Sequence, residues 1–207
     1  IMNLNDNFSV RVVDLPGDTP WSPSPSPGVE RRLLDRIGDE IARATSVVRY
    51  APGSSFPAHV HTGGEEYFVL DGVFSDENGD YGPGHYVRNP SGSRHAPFTK
   101  PGATIFVKLW QFQDGDGEQT TVDIGRAPFV PGLVDGLEVL PLHEYGSESV
   151  ALVRWRPGTH FSRHTHFGGE EIFVLEGEFA DEHGRYPAGT WLRNPDGSTH
   201  QPFSDSG

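Results

Sequence analysis

The stretch Gly53–His95, GSSFPAHVHTGGEEYFVLDGVFSDENGDYGPGHYVRNPSGSRH, decides how the rest of the chain is read. Its spacings are G-x5-H-x-H-x3-E-x6-G followed by G-x5-P-x-G-x2-H, set by Gly53, His59, His61, Glu65, Gly72, Gly84, Pro90, Gly92 and His95. Three histidines and a glutamate, placed among glycines that let the chain turn sharply, form a divalent-metal donor set that needs no thiolate. The same spacings occur again from Gly158 to His200, with His164, His166, Glu170 and His200 each displaced by 105 residues. Aligning Gly53–Thr99 with Gly158–Ser204 without a gap gives 26 identities in 47 positions, so the chain is one module duplicated. Six of the ten histidines sit at repeated positions, whereas His85, His143, His160 and His183 have no histidine counterpart and are given no role.

The repeat sets the domain count at two, residues 1–113 and 114–207, with the boundary at the acidic, glycine-rich QDGDGEQ of Gln113–Gln119. Gly207 is the counterpart of Gly102, so the second copy stops before its equivalent of a strand over Thr104–Gln111. The natural chain is expected to run on, or another strand to close that barrel. A net charge of -13 and a pI near 5.1 argue against a nucleic-acid surface, which needs clustered Lys and Arg. With no cysteine there is no disulfide frame, thiolate zinc site or cysteine nucleophile. No secretory signal opens the chain and no apolar run approaches a membrane span, so a cytoplasmic protein is expected.

Local patterning is that of an all-β chain. Phe8–Leu15 alternates as a strand, and Trp21–Gly28 (WSPSPSPG) reads as a loop. Val29–Arg43 has helical spacing, but its counterpart Val134–Glu148 contains Gly136, Pro141 and Gly146, so both segments are expected to be strand, turn, strand. Thr45–Tyr50, Val150–Trp155, Tyr67–Leu70, Ile172–Leu175, Tyr86–Arg88 and Ile105–Phe112 complete the strands, with hairpin turns at Asn78-Gly79 and His183-Gly184. Short strands separated by Gly and Pro turns mean an antiparallel sandwich or barrel.

Alternation within a strand sends His59 and His61 to one face. Gly63 and Gly64 bend the chain so that Glu65 returns to the same centre, and the Pro90-x-Gly92 turn aims His95. Parity sends Glu66 and Glu171 to the opposite face and puts Tyr67 and Ile172, which differ between copies, on the metal side. Arg88-Asn89 and Arg193-Asn194 read first as turn-stabilising asparagines with arginines packed on aromatic surface, and second as supports for a metal-bound residue. Asp76-Glu77 and Asp181-Glu182 read as solvated turn residues.

These spacings resemble the two signature motifs of the cupin superfamily, G(X)5HXH(X)3-4E(X)6G and G(X)5PXG(X)2H(X)3N, departing only at the last position, Thr99 or Ser204. Within it, PGSSFPAHVHTGGEEYFVLDGVFSDENGDY with NPSGSRH, and PGTHFSRHTHFGGEEIFVLEGEFADEHGRY with NPDGSTH, look like the cupin domain of ChrR-type anti-sigma factors. The resemblance implies two tandem cupin (double-stranded β-helix, jelly-roll) barrels. It implies one divalent ion (Zn, Fe, Ni or Mn) in each, held by His59, His61, Glu65 and His95, and by His164, His166, Glu170 and His200. The implied function is regulatory, a sensor of a small molecule or oxidant in a transcriptional stress response. The alternative is a metal-dependent dioxygenase cleaving diketones or hydroxyaryl ketones. Implied partners are a small-molecule ligand and a second copy of the chain as a homodimer. A sigma factor is implied by the family, although the cysteine-containing helical zinc domain that grips it is not in this sequence.

Overall fold

The computed structural model describes residues 1–207, built of strands, turns, bends and irregular stretches, with no helix. No helix is therefore long and apolar enough to cross a membrane. Two compact units divide the chain: Ile1–Asp6 with Pro20–Ala127, and Asn7–Thr19 with Pro128–Gly207.

The first unit is built on an eight-stranded antiparallel sheet. Along it lie Asn3–Leu4, Val29–Gly38, Ala42–Tyr50, Ala103–Leu109, Glu65–Gly72, His85–Asn89 and Thr120–Asp123, with Ser22–Pro23 on the side of Val29–Gly38. Val29–Gly38 and Ala42–Tyr50 are the expected hairpin, so the helical spacing of Val29, Leu33, Leu34 and Ile37 belongs to a bulged strand whose register shifts between Leu33 and Asp35. Two short ribbons complete the unit: His59–His61 pairs with Ser93–His95, and Phe74–Asp76 with Gly79–Tyr81. In the latter Asp76 faces Gly79, so the turn is centred on Glu77-Asn78 and Gly79 already belongs to the strand. Alternate residues Tyr67 and Val69, Ile105 and Val107 turn inward to join Val29, Val48, Phe74, Val87 and Ala103 in one buried cluster.

The second unit repeats the plan in smaller sheets. Leu137–Tyr145 and Glu148–Trp155 form its hairpin, Glu170–Phe173 pairs with Trp191–Asn194, and His164–His166 with Ser198–His200. The strand corresponding to Ala103–Leu109 is not part of the sequence. In the first unit that strand bridges Ala42–Tyr50 and Glu65–Gly72, whereas Glu148–Trp155 and Glu170–Phe173 have no strand between them. Val153 is 48 % exposed where its counterpart Val48 is 6 %.

The leading strands depart from expectation. The regular part of Phe8–Leu15 is only Val12–Asp14, and it pairs with Trp191–Asn194 of the second unit. The strand ahead of the second copy, Thr120–Asp123, pairs with His85–Asn89 of the first. A division at 113/114 follows sequence order, whereas the units exchange the segments in front of each copy, because each supplies the hydrogen-bonding edge that the other sheet leaves open.

The glycine closing the first signature is sterically required. Gly72 has φ +73°, and a Cβ there would lie 2.0 Å from the Gly102 carbonyl oxygen, which itself accepts the Val73 N–H. Gly72→Ala is expected to destabilise the protein by about 2–4 kcal/mol, read as a lowered urea midpoint with an unchanged slope.

Candidate metal centres

The two-stranded ribbon His59–His61/Ser93–His95 places His95 directly opposite His59, and His61 shares the face of His59 two residues on. The ring centroids of His59 and His61 are 4.7 Å apart, His59 and His95 5.1 Å, and His61 and His95 4.8 Å. His61 Nε2 lies 2.8 Å from His95 Nε2, and Glu65 Oε2 is 3.3 Å from the first and 3.5 Å from the second. Gly64, at φ +80°, makes the turn that returns Glu65 to the histidines.

The second unit reproduces this arrangement. Centroid separations are 4.6 Å for His164 and His166, and 4.9 Å from each to His200. His166 Nε2 is 2.9 Å from His200 Nε2, and Glu170 Oε2 is 3.1 and 3.4 Å from them. All eight sequence-selected side chains therefore gather into two groups of four. In each, the donor atoms of the three histidines lie within 4.8 Å of one another.

The donor chemistry fits a cation. His59 Nδ1 faces the Pro57 carbonyl at 3.1 Å and His164 Nδ1 the Ser162 carbonyl at 2.9 Å, so these nitrogens carry the proton and Nε2 is left with its lone pair. His95 Nδ1 meets Asp76 Oδ2 and His200 Nδ1 meets Asp181 Oδ2, both at 3.1 Å, with the same consequence. Imidazole nitrogens and a carboxylate oxygen about 3 Å apart have the separation of neighbouring donors around one ion at bonds of about 2.1 Å. Burial, opposed by the adjacent Glu65 or Glu170, holds His61 and His166 below the ordinary imidazole pKa, which keeps them neutral donors.

Asp76 and Asp181 are a correction to the sequence reading. They are not solvated turn residues: each is buried, its second oxygen is engaged by the Asn78 or His183 N–H, and its role is to fix the tautomer of the third histidine. Burial alone would raise Asp181. The His183 N–H, His200, Tyr186 and the charge of Arg11 outweigh it, leaving the carboxyl below its usual range. Glu77 and Glu182 accept the backbone N–H of Ala96 and Gln201, pinning the residue that follows each histidine. The signal was present, since both Asp-Glu pairs lie among the 26 identities.

The asparagines take the second of the two roles weighed for them. Asn89 Nδ2 donates to Glu65 Oε2 and Asn194 Nδ2 to Glu170 Oε2, both at 3.0 Å. The arginines do stack on rings, Arg88 4.1 Å above Phe112 and Arg193 4.2 Å above Phe8. Arg88 is also fully buried and paired with Glu66 and with Asp116 at 2.7 Å. Glu66 thus faces away from the centre, as parity required, and Glu171 does likewise, accepting from Trp191 Nε1 at 3.1 Å. Asp116 and Gln119 come from Gln113–Gln119, so that stretch is more than a linker; it helps to hold the first centre.

A small antiparallel β-barrel with inward-facing histidines and a carboxylate on two signature motifs is a cupin, and the chain contains that barrel twice. It belongs to the family of the ChrR cupin-like domain, whose model matches residues 9–113 and 117–207. No curated protein matches significantly. Among solved structures, a candidate dioxygenase from Nostoc punctiforme is 17 % identical with a TM-score of 0.74, covering 99 % of this chain and 79 % of its own. The bacterial pirin YhhW from Escherichia coli, in complex with nickel(II), is 13 % identical with a TM-score of 0.63, covering 95 % of each chain. A variant of oxalate decarboxylase from Bacillus subtilis is 16 % identical with a TM-score of 0.61, covering 94 % of this chain and 74 % of its own. At these identities the likeness is one of fold.

Asp76→Ala is expected to weaken metal binding at the first centre about 10- to 100-fold and leave the second unchanged, with Asp181→Ala doing the reverse; calorimetric titration with zinc reads both. For the metal-free protein, His61 and His166 have folded pKa values below the unfolded one. Their contribution to stability is complete above the ordinary imidazole range and is lost as pH falls through the folded values. Thermal melts from neutral to mildly acid pH should therefore show a falling midpoint.

Proposed function

We propose that each barrel holds one divalent ion, with His59, His61, Glu65 and His95 in the first and His164, His166, Glu170 and His200 in the second. We further propose that the first centre binds a small oxygen-bearing molecule or oxidant whose occupancy is a regulatory signal. The observation that carries this reading is Tyr67. Its ring is 1 % exposed and packs against Phe74 and Tyr81 on the inward face it shares with Glu65, yet its hydroxyl has no hydrogen-bond partner. Burial, then the nearby Glu65 and Asp76, pushes the phenol far above its ordinary pKa, so it stays a donor. Leaving such a group unpaired costs about 1–3 kcal/mol, a cost removed when a polar ligand accepts from it. The second copy has Ile172 at this position and offers no such donor. A bound divalent ion would supply a Lewis acid for an oxygen atom of that ligand. The match to the ChrR cupin-like family in both halves supports the regulatory reading, with a protein partner that responds to the occupied state.

A metal-dependent dioxygenase acting on diketones or hydroxyaryl ketones is the second reading. It is favoured by the four-donor set, which leaves two positions of an octahedral ion free, and by likeness in fold to the Nostoc protein. Metal analysis of the purified protein, with oxygen uptake on a 1,3-diketone, separates the two. Closed four-coordinate zinc in both centres without uptake supports the sensor, and turnover with iron supports the enzyme. His61→Ala or His166→Ala should each reduce the bound ions from two to one per chain; two ions remaining would overturn the ligand assignment.

A further inference from the structure

Neither Asn89 nor Asn194 is oriented by its carboxylate alone. A side-chain amide can present oxygen or nitrogen to a neighbour, and presenting oxygen to Glu65 or Glu170 would set two acceptors against each other. In the first unit the asparagine oxygen is occupied by Gln119 Nε2 at 2.6 Å, which leaves the NH2 group to face Glu65. In the second unit Arg11 Nε donates to the Asn194 oxygen at 2.9 Å.

Gln119 and Arg11 hold equivalent places. Gln119 immediately precedes Thr120, which lies opposite Arg88; Arg11 precedes Val12, which lies opposite Arg193. Both therefore ride on an exchanged leading strand. Arg11 also reaches further than Gln119. Its guanidinium donates to the Tyr186 hydroxyl and lies 3.5 Å from Asp181 Oδ2, the oxygen that holds His200 Nδ1. Tyr186 in turn donates to Asp181 Oδ1 at 3.0 Å. One cation thus touches both supports of the second centre, Asn194 behind Glu170 and Asp181 behind His200. In the first centre Tyr81 lies 3.5 Å from Asp76, and Gln119 touches only the asparagine.

We propose that Arg11 and Gln119 are positioning residues that lock the metal-binding glutamates by fixing Asn194 and Asn89, so each centre is set by the residue in front of the other copy. The inference rests on the metal-centre reading above. Residue 11, just ahead of the first copy, thus governs the second centre and leaves the first alone.

Cobalt(II), whose visible spectrum reports ligand number and geometry, is titrated into the full chain. His61→Ala leaves only the second centre to be read, and His166→Ala only the first. In the His61→Ala background, Arg11→Met is expected to bind cobalt roughly ten-fold more weakly with an altered spectrum. Arg11→Gln, which supplies the amide donor that the first unit already uses, should keep the spectrum and bind more tightly than Arg11→Met. In the His166→Ala background neither Arg11 change should move affinity or spectrum, whereas Gln119→Leu should weaken binding. Equal cobalt binding by Arg11→Gln and Arg11→Met at the second centre would overturn the lock. A shift of the first centre by Arg11→Met would overturn it as well. No cobalt bound by the His61→Ala protein would instead sink the metal-centre reading itself.

Discussion

Each barrel sets three imidazoles and a carboxylate about 3 Å apart in a partly buried interior. Without an ion, a proton on His61 or His166 can bridge these groups; once it is gone they repel, and burial strengthens the repulsion by removing water. The structure answers with rigidity. Backbone carbonyls hold His59 and His164, aspartates hold His95 and His200, asparagines hold Glu65 and Glu170, and the third histidines arrive on a strand paired to the first. These contacts hold six of the eight donors in place, and a cation at each focus would be attracted by all four of its donors.

Much of this was legible in the sequence because the duplication marks it twice. Strand parity put the HxH pair on one face, and the repeat removed the helix that the spacing of Val29–Ile41 alone would have allowed. The aspartates were misread for a physical reason. Asp-Glu before a tight turn is ordinarily solvent-facing, and only the pairing of Phe74–Asp76 with Gly79–Tyr81, with its turn one residue earlier than Asn78-Gly79 implies, buries Asp76 against His95. Composition likewise concealed Gln113–Gln119. An acidic, glycine-rich run looks like a tether, but its Asp116 balances a guanidinium that is wholly removed from water. Arg11 and Gln119 differ in type and stand outside the aligned blocks, so no pattern connected them.

The two centres share ligands and differ in surroundings. The carboxylate of Glu65 is 9 % exposed and that of Glu170 21 %, and the inward position beside them is a phenol in one unit and an isoleucine in the other. Identical donors in unlike dielectric settings hold the same ion with different strength and different tolerance for further ligands.

The crossed leading strands bear on how such a chain could have arisen. Each copy here has an edge that takes a strand and a leading strand that takes an edge. Two copies could satisfy each other by trading arms, and joining their genes end to end would make that trade permanent and free of dilution. On the proposed lock, a change in one arm would then be felt at the pocket of its sibling.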